Sequence, residues 1–375
     1  MTDLWQPTDE PLVLHVIPTP LARGAQREAR ALADQLDAPG VRAHRVLTLF
    51  DGEPEVRPDL SLHIDGGPSP ATGFDPQVVL ALRSAFRRLD PALVVAHGSD
   101  PLKYLVPALT AARRPLAYYA IGTYAAAPDR RLQLAFWRRM LARTDVIAAE
   151  GHEVRQQCID LLGVPADKIT MTPNGRDPAV FHPRSDGSGD DIPVITFVGA
   201  LNDGKRPDRF IEVVAALRAR GRTFTARLVG DGPMRDDIRT PAAAAGVELL
   251  GSRSDIPALL RASDLMVFPS RPAGEGMPGV LIEAGMSGLP VVATDVPGVR
   301  TMVVDGSTGI VVPEGELDPM VEAVDRLLVD PALRVTMGAA ARAYCQEHFS
   351  LEAVGAIWLT LLEPLLAGRT ASRGG

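Results

Sequence analysis

Cysteine is nearly absent from this chain of 375 residues, which holds two, Cys158 and Cys345. They lie far apart, so a disulfide framework is unsupported and a reducing, cytoplasmic setting fits. No apolar run approaches the roughly 20 residues that span a bilayer, so any membrane contact is expected to be peripheral. The first residues, MTDLWQPTDE, are polar and acidic, unlike a secretory signal. Positive charge is not in excess: 39 Lys and Arg stand against 46 Asp and Glu, a net charge of −7, which disfavours nucleic acid as a partner. No Gly-x-Gly-x-x-Gly follows the first apolar run, which argues against a Rossmann dehydrogenase. No Asp-x-Asp or His/Cys cluster stands out, since Asp190-Asp191 falls in a linker-like stretch; neither metal nor cofactor is expected. What is present is ordinary for a globular protein, 46% hydrophobic and 23% charged, at a length that suits two domains better than one.

The chain is organised around Phe268–Gly288, FPSRPAGEGMPGVLIEAGMSG. An apolar run, Asp264–Phe268, reads as a buried strand. Small and turn-forming residues follow, then Glu275-Gly276-Met277-Pro278-Gly279. Proline favours a helix start there, and Gly288 is placed to end that helix. Glu283 rides on the helix, eight positions after Glu275. Open amides at a helix N-terminus attract phosphate. A carboxylate on the first turns is suited to a ribose diol, and the second carboxylate to the hydroxyls of a sugar.

The same layout recurs along the chain. Pro11–Ile17 is an apolar run, followed by a turn and a helix opening near Arg23-Gly24-Ala25-Gln26-Arg27. Val41–Leu49, Leu93–His97, Leu116–Ile121 and Asp145–Ala149 read as further strands, and 78–89 as a helix. Residues 51–76, rich in Pro, Gly and Asp, read as an irregular excursion. Arg130–Arg143 holds five arginines and a stripe of Leu134, Trp137 and Leu141: a solvated helix packed on its domain, or a patch for anionic lipid. Ser185–Asp191 has linker composition. Strands and helices alternate again from Val194–Val198, through the basic turn Lys205-Arg206, to helices over 317–329, 331–349 and 351–366. Each half therefore reads as a parallel-sheet α/β domain. The predicted domains are 1–184, with a helix at 351–369 returning to it, and 192–350.

Residues 269–294 resemble the signature of the retaining family-4 glycosyltransferases of GT-B fold: Pro-Ser, an insert, Glu-Gly-x-Pro-x-x-x-x-Glu-Ala, then Gly-x-Pro-Val-Val-Ala-Thr. Pro173-Asn174-Gly175-x-Asp177, Gly230-x-Gly232-Pro233 and the turn at Leu249–Pro257 continue the resemblance over nearly the whole chain. The fold it implies is two Rossmann-like domains facing a central cleft. The activity it implies is metal-independent transfer, with retention, of a sugar from a nucleotide-diphosphate sugar, UDP-sugar favoured, to a hydroxyl acceptor. It implies catalytic roles for Lys205, Glu275 and His97. It implies donor contacts from Gly24, Arg206, Arg253, Gly276, Met277, Pro278, Gly279 and Glu283. The acceptor, whether small molecule, glycan or lipid-linked, is not readable. Two family positions depart from the pattern: Ile121 stands where a histidine is common, and Ala200 where an arginine is. They keep a second reading open, a nucleotide-sugar-binding protein without turnover; a GT-B nucleotide-sugar epimerase is a third.

Overall fold

The computed structural model describes residues 10–21, 24–38, 41–53, 55–64, 73–110, 113–121, 131–184, 192–272 and 276–373. The chain divides into two compact units, one of Met1–Gly175 with Leu351–Gly375, the other of Arg176–Ser350. Seven strands form the first sheet: β1 (Leu12–Ile17), β2 (Ala43–Phe50), β3 (Leu60–Ile64), β4 (Leu93–His97), β5 (Leu116–Ala120), β6 (Val146–Ala149) and β7 (Ile169–Met171). Its order is β3-β2-β1-β4-β5-β6-β7, with every pair parallel. Helices α1 (Gly24–Leu36), α2 (Pro76–Leu89), α3 (Ser99–Leu109), α4 (Arg131–Leu141) and α5 (His152–Asp160) connect these strands.

The second sheet has six strands: β8 (Val194–Val198), β9 (Thr225–Val229), β10 (Val247–Gly251), β11 (Leu265–Phe268), β12 (Val291–Thr294) and β13 (Gly309–Val312). Their order is β10-β9-β8-β11-β12-β13, again parallel throughout. Helices α6 (Pro207–Ala219), α7 (Arg235–Ala245), α8 (Ile256–Arg261), α9 (Gly279–Met286), α10 (Val299–Met302), α11 (Asp318–Val329) and α12 (Pro331–Phe349) complete the unit. The last helix, α13 (Leu351–Arg373), belongs to the first unit and runs longer than its apolar pattern suggested.

The local chemistry accounts for these elements. The central strands β1, β4 and β5 are buried at every residue, as continuous apolar runs flanked by helices should be. Helix α2 opens with Asp75, whose carboxylate accepts from the Gln77 amide, and with Pro76 in the first turn. Helix α12 repeats the device with Asp330 and Pro331. The excursion at 51–76 conceals β3, a short edge strand with little burial to betray it. On α4, Leu141 is buried while Leu134 and Trp137 pack against the first core, so the apolar stripe is spent inside the unit. Cys158 and Cys345 are free buried thiols, each pushed up to about 12 by burial. No helix among the described residues is long and apolar enough to cross a membrane.

The units change hands between Gly175 and Arg176, ahead of the linker-like stretch 185–191 where composition placed the boundary. The reason is packing. The Arg176 amide donates to the Phe349 carbonyl at 2.8 Å, Phe181 joins a core of the second unit, and Arg184 Nε donates to the Arg261 carbonyl at 2.9 Å.

One buried polar chain crosses the first sheet. His15 is level with Val46 and Val95, His44 lies two residues before Val46, and His97 two beyond Val95; the twofold side-chain period puts all three on one face. His15 Nδ1 lies 2.9 Å from His97 Nε2, and His15 Nε2 lies 2.9 Å from His44 Nδ1. A neutral imidazole has one N–H, so the two hydrogen bonds must run in the same sense along the chain. Burial pushes His44 and His97 down to about 3, and burial with both neighbouring rings holds His15 well below the usual imidazole range. An unfolded histidine titrates near ~6.5, so below that pH the unfolded chain binds protons that the folded one refuses. Stability contributed by the neutral rings is thus complete above ~6.5 and falls as pH drops from there toward about 3. The urea midpoint of the first unit, followed by tryptophan fluorescence, should decline between pH ~7 and ~5. A level midpoint would mean that the rings are protonated in the fold.

Candidate active site

In the second unit, the loops after β8, β9 and β11 meet at the carboxyl edge of three adjacent strands. The strand order reverses direction at β8 and β11, the topological switch point where open α/β sheets bind ligands. After β8, the loop 199–206 is braced from both sides. The Leu201 amide donates to the Asp231 carbonyl at 3.0 Å, and the Arg271 amide donates to the Gly204 carbonyl at 2.8 Å. Within the loop, the Asn202 side chain accepts from the Lys205 amide at 3.0 Å. Lys205 lies with Nζ 5.3 Å from the centre of the Phe268 ring, at the end of β11. The cation is therefore set at the mouth of the strand–turn–helix unit that the sequence singled out.

That unit is built as expected in outline. β11 ends at Phe268, and the Thr294 hydroxyl ties the next turn down by donating to the Ser270 carbonyl at 2.5 Å. Helix α9 starts at Gly279, with Pro278 as the extended residue before it rather than its first helical residue. Gly288, at φ +76°, turns the chain out after α9, as its position predicted. Met277 and Pro278 are buried beneath the helix start, so they shape the turn through packing. Gly298, at φ +81°, comes so close that a Cβ there would lie 2.1 Å from the Gly276 carbonyl oxygen. That approach fixes the amides of 276–279, which carry the positive end of the helix. Glu275 lies outside the described residues, together with Ala273 and Gly274.

Glu283 sits one turn into α9, four-fifths buried, and it is not alone. Arg176 donates from Nε to Glu283 Oε1 at 2.8 Å, and its own side chain is 21% exposed. The residue was visible only as the unspecified position of Pro-Asn-Gly-x-Asp, and nothing in a sequence ties it to a glutamate 107 positions on.

Other anticipated residues take different places. Arg206, a left-handed residue at φ 54°, is 9% exposed. Its Nε reaches both Asp208 carboxylate oxygens at 3.0 Å, so this anticipated donor contact is engaged in the ion pair that opens α6. Arg253 is paired in the same way with Asp255, at 2.8 and 2.6 Å, on the exposed turn after β10. Ala200, at the position where the resemblance expects an arginine, is exposed and uncharged. Gly24 is the first residue of α1 in the first unit. His97, for which the resemblance implied a catalytic role, lies 1% exposed in the core, bonded to His15 and stacked on Trp358 at 6.3 Å between ring centres. A ring so enclosed serves the sheet, and its place corrects the catalytic reading. Ile121 packs partly buried against the same core. Among the described residues, no group of His, Cys, Asp and Glu is placed to hold a metal ion.

Known proteins match both halves. Residues 22–180 match the family described as Glycosyltransferase Family 4, and residues 192–330 the family described as Glycosyl transferases group 1. The alpha-D-kanosaminyltransferase of Streptomyces kanamyceticus is 38% identical over 172 residues, 44% of each chain. A D-inositol 3-phosphate glycosyltransferase of Nocardia farcinica is 30% identical over 256 residues, 63% of this chain and 54% of that one. The matched segments thus span about half the length of these curated relatives. Among solved structures, HepE of Anabaena in complex with UDP-glucose superposes with a TM-score of 0.75 at 20% identity, over 93% of this chain and 99% of that one. Sucrose-phosphate synthase of Thermosynechococcus elongatus gives 0.74 at 20% identity, over 96% and 100%. At such identities the structures speak to the fold alone, and the fold is GT-B.

Proposed function

We propose, from the premise that this chain belongs to the family-4 glycosyltransferases of GT-B fold, that it takes its sugar from a nucleotide-diphosphate donor, UDP-linked by preference, and delivers it with retention to a hydroxyl acceptor in the cytoplasm. The observation that supports this reading most is the β11–α9 unit: helix-end amides at 276–279, Glu283 one turn in, and Lys205 at its mouth. A helix amino end stabilises phosphate, a carboxylate accepts from ribose hydroxyls, and a cation gains as charge grows on the leaving diphosphate.

In the reaction, the bond between the anomeric carbon and the diphosphate oxygen breaks, and its electron pair leaves with the diphosphate. The acceptor hydroxyl attacks from the same face and gives its proton to the departing phosphate oxygen. This chemistry calls for stabilisation of the leaving group, and Lys205 with the α9 amides are arranged to provide it. Glu275 is proposed to hold the sugar hydroxyls. The acceptor is proposed to be a sugar, polyol or lipid-linked hydroxyl.

The direct test is a thermal-shift panel of UDP-, GDP-, ADP- and dTDP-sugars, because a ligand at a hundred times its dissociation constant stabilises by about 2.7 kcal/mol. Release of the nucleoside diphosphate with no acceptor present then separates turnover from binding alone. Glu283→Ala should cost roughly 1.5–3 kcal/mol of donor affinity, the worth of a charged hydrogen bond, with the fold retained. Unchanged affinity in a calorimetric titration would remove Glu283 from the donor site.

A further inference from the structure

Ala200 brings no cation to the Lys205 loop, and Arg206 is committed to Asp208. A guanidinium nevertheless stands at this edge of the unit, and it comes from elsewhere in the chain. Arg176 is the first residue of the second unit, pinned by its own backbone: its amide donates to the Phe349 carbonyl at 2.8 Å, and it pairs with Ser350 in a parallel bridge. Its side chain runs to the amino end of α9. A Cβ built on Gly279, the first residue of that helix, would lie 2.2 Å from an Arg176 terminal nitrogen, so the absence of a side chain there makes the room.

A helix amino end repels a cation. Glu283, one turn further along, draws it there. The Nε bond at 2.8 Å takes Glu283 Oε1, and among the described residues Oε2 has no hydrogen-bond partner. A carboxylate has lone pairs enough for both a guanidinium and a diol. A glutamate left unheld must lose its rotamer freedom when a ligand orders it, and holding it in advance removes that cost.

We propose that Arg176 is the positioning residue of the donor site: it holds Glu283 with Oε2 directed to accept the ribose hydroxyls of the nucleoside diphosphate. The inference rests on the function proposed above. It also explains why an arginine occupies the open position of Pro173-Asn174-Gly175-x-Asp177. The effect belongs to ground-state binding of the donor, because the ribose is remote from the bond that breaks.

The test uses the full chain and whichever of UDP-, GDP-, ADP- or dTDP-glucose the wild type binds. Arg176→Val is expected to raise the donor KM, and the Kd of the matching free nucleoside diphosphate, about tenfold, with kcat within about twofold. Arg176→Lys should recover part of the loss. Gly279→Ala tests the same geometry with both charged partners intact: its methyl displaces the guanidinium, and donor affinity should fall in the same direction. With Glu283→Ala already in place, Arg176→Val should add nothing further. A mere scaffold residue would lower thermal stability without this split between KM and kcat, or this dependence on Glu283. Unchanged or tighter donor binding in Arg176→Val overturns the inference while leaving the donor site standing. A full tenfold loss that persists in the Glu283→Ala background overturns it too. A wild type that binds none of the four donors overturns this inference and the proposed function together.

Discussion

Lys205→Ala is expected to lower turnover about a hundred- to thousandfold at saturating donor, a loss of roughly 2.7–4 kcal/mol of transition-state stabilisation. The size follows from what surrounds it. Ala200 offers no charge, and Arg206 is held by Asp208, so on the proposed function Lys205 is the cation of this loop that faces the leaving diphosphate. The charge on that group is larger in the transition state than in the bound donor, so the loss should fall on kcat more than on KM. Arg206→Ala should leave kcat within a few-fold of normal, since its guanidinium serves the start of α6. Ala200→Arg, which restores the arginine of the resembling family, should raise the residual turnover of Lys205→Ala. Steady-state kinetics with saturating donor decides the matter. Near-normal kcat in Lys205→Ala would show that the diphosphate lies elsewhere.

Trp358→Ala is expected to destabilise the first unit by about 3–5 kcal/mol, the cost of emptying a large aromatic site in a core. Trp358 is 1% exposed and anchors α13 to the sheet, with its ring centre 5.3 Å from that of Tyr119 and 6.3 Å from that of His97. The Tyr119 hydroxyl in turn donates to Asn174 Oδ1 at 2.8 Å, so the helix buttresses the end of the first unit's main segment. Trp137 belongs to the same unit as Trp358 and stays in the variant to report on it. The urea transition followed there should move to lower denaturant, while hydrogen exchange in β8, β11 and β12 keeps its protection. A midpoint matching the wild type would mean that α13 packs without need of its tryptophan.

Much of this architecture was legible in the residues. Runs such as LVLHVI and LVVAH are apolar because parallel strands between helix layers have no wet face, and that makes them readable. Strand β3 escaped because an edge strand is buried on too little of its surface to need such a run. The β11–α9 turn was legible through its glycines and prolines, whose backbone requirements are local. His97 misled because the end of a strand is both where ligands bind and where a sheet can bury a polar chain. Only His15 and His44, on neighbouring strands, tell the two apart. Arg176 was invisible for a related reason: its partner is set by tertiary packing, and no local pattern encodes a pair so far apart.

The chain passes from the first unit into the second at Gly175 and leaves it at Ser350, and Arg176 and Ser350 stand side by side in a parallel bridge. Topologically, then, the second unit is a guest inserted into a host, and its entrance and exit share one doorway. A guest of that kind can be lifted out by a single pair of cuts and exchanged for another with the same doorway. Chimeras joined at these two points should fold as the parents do, because each sheet, with its own core, travels whole.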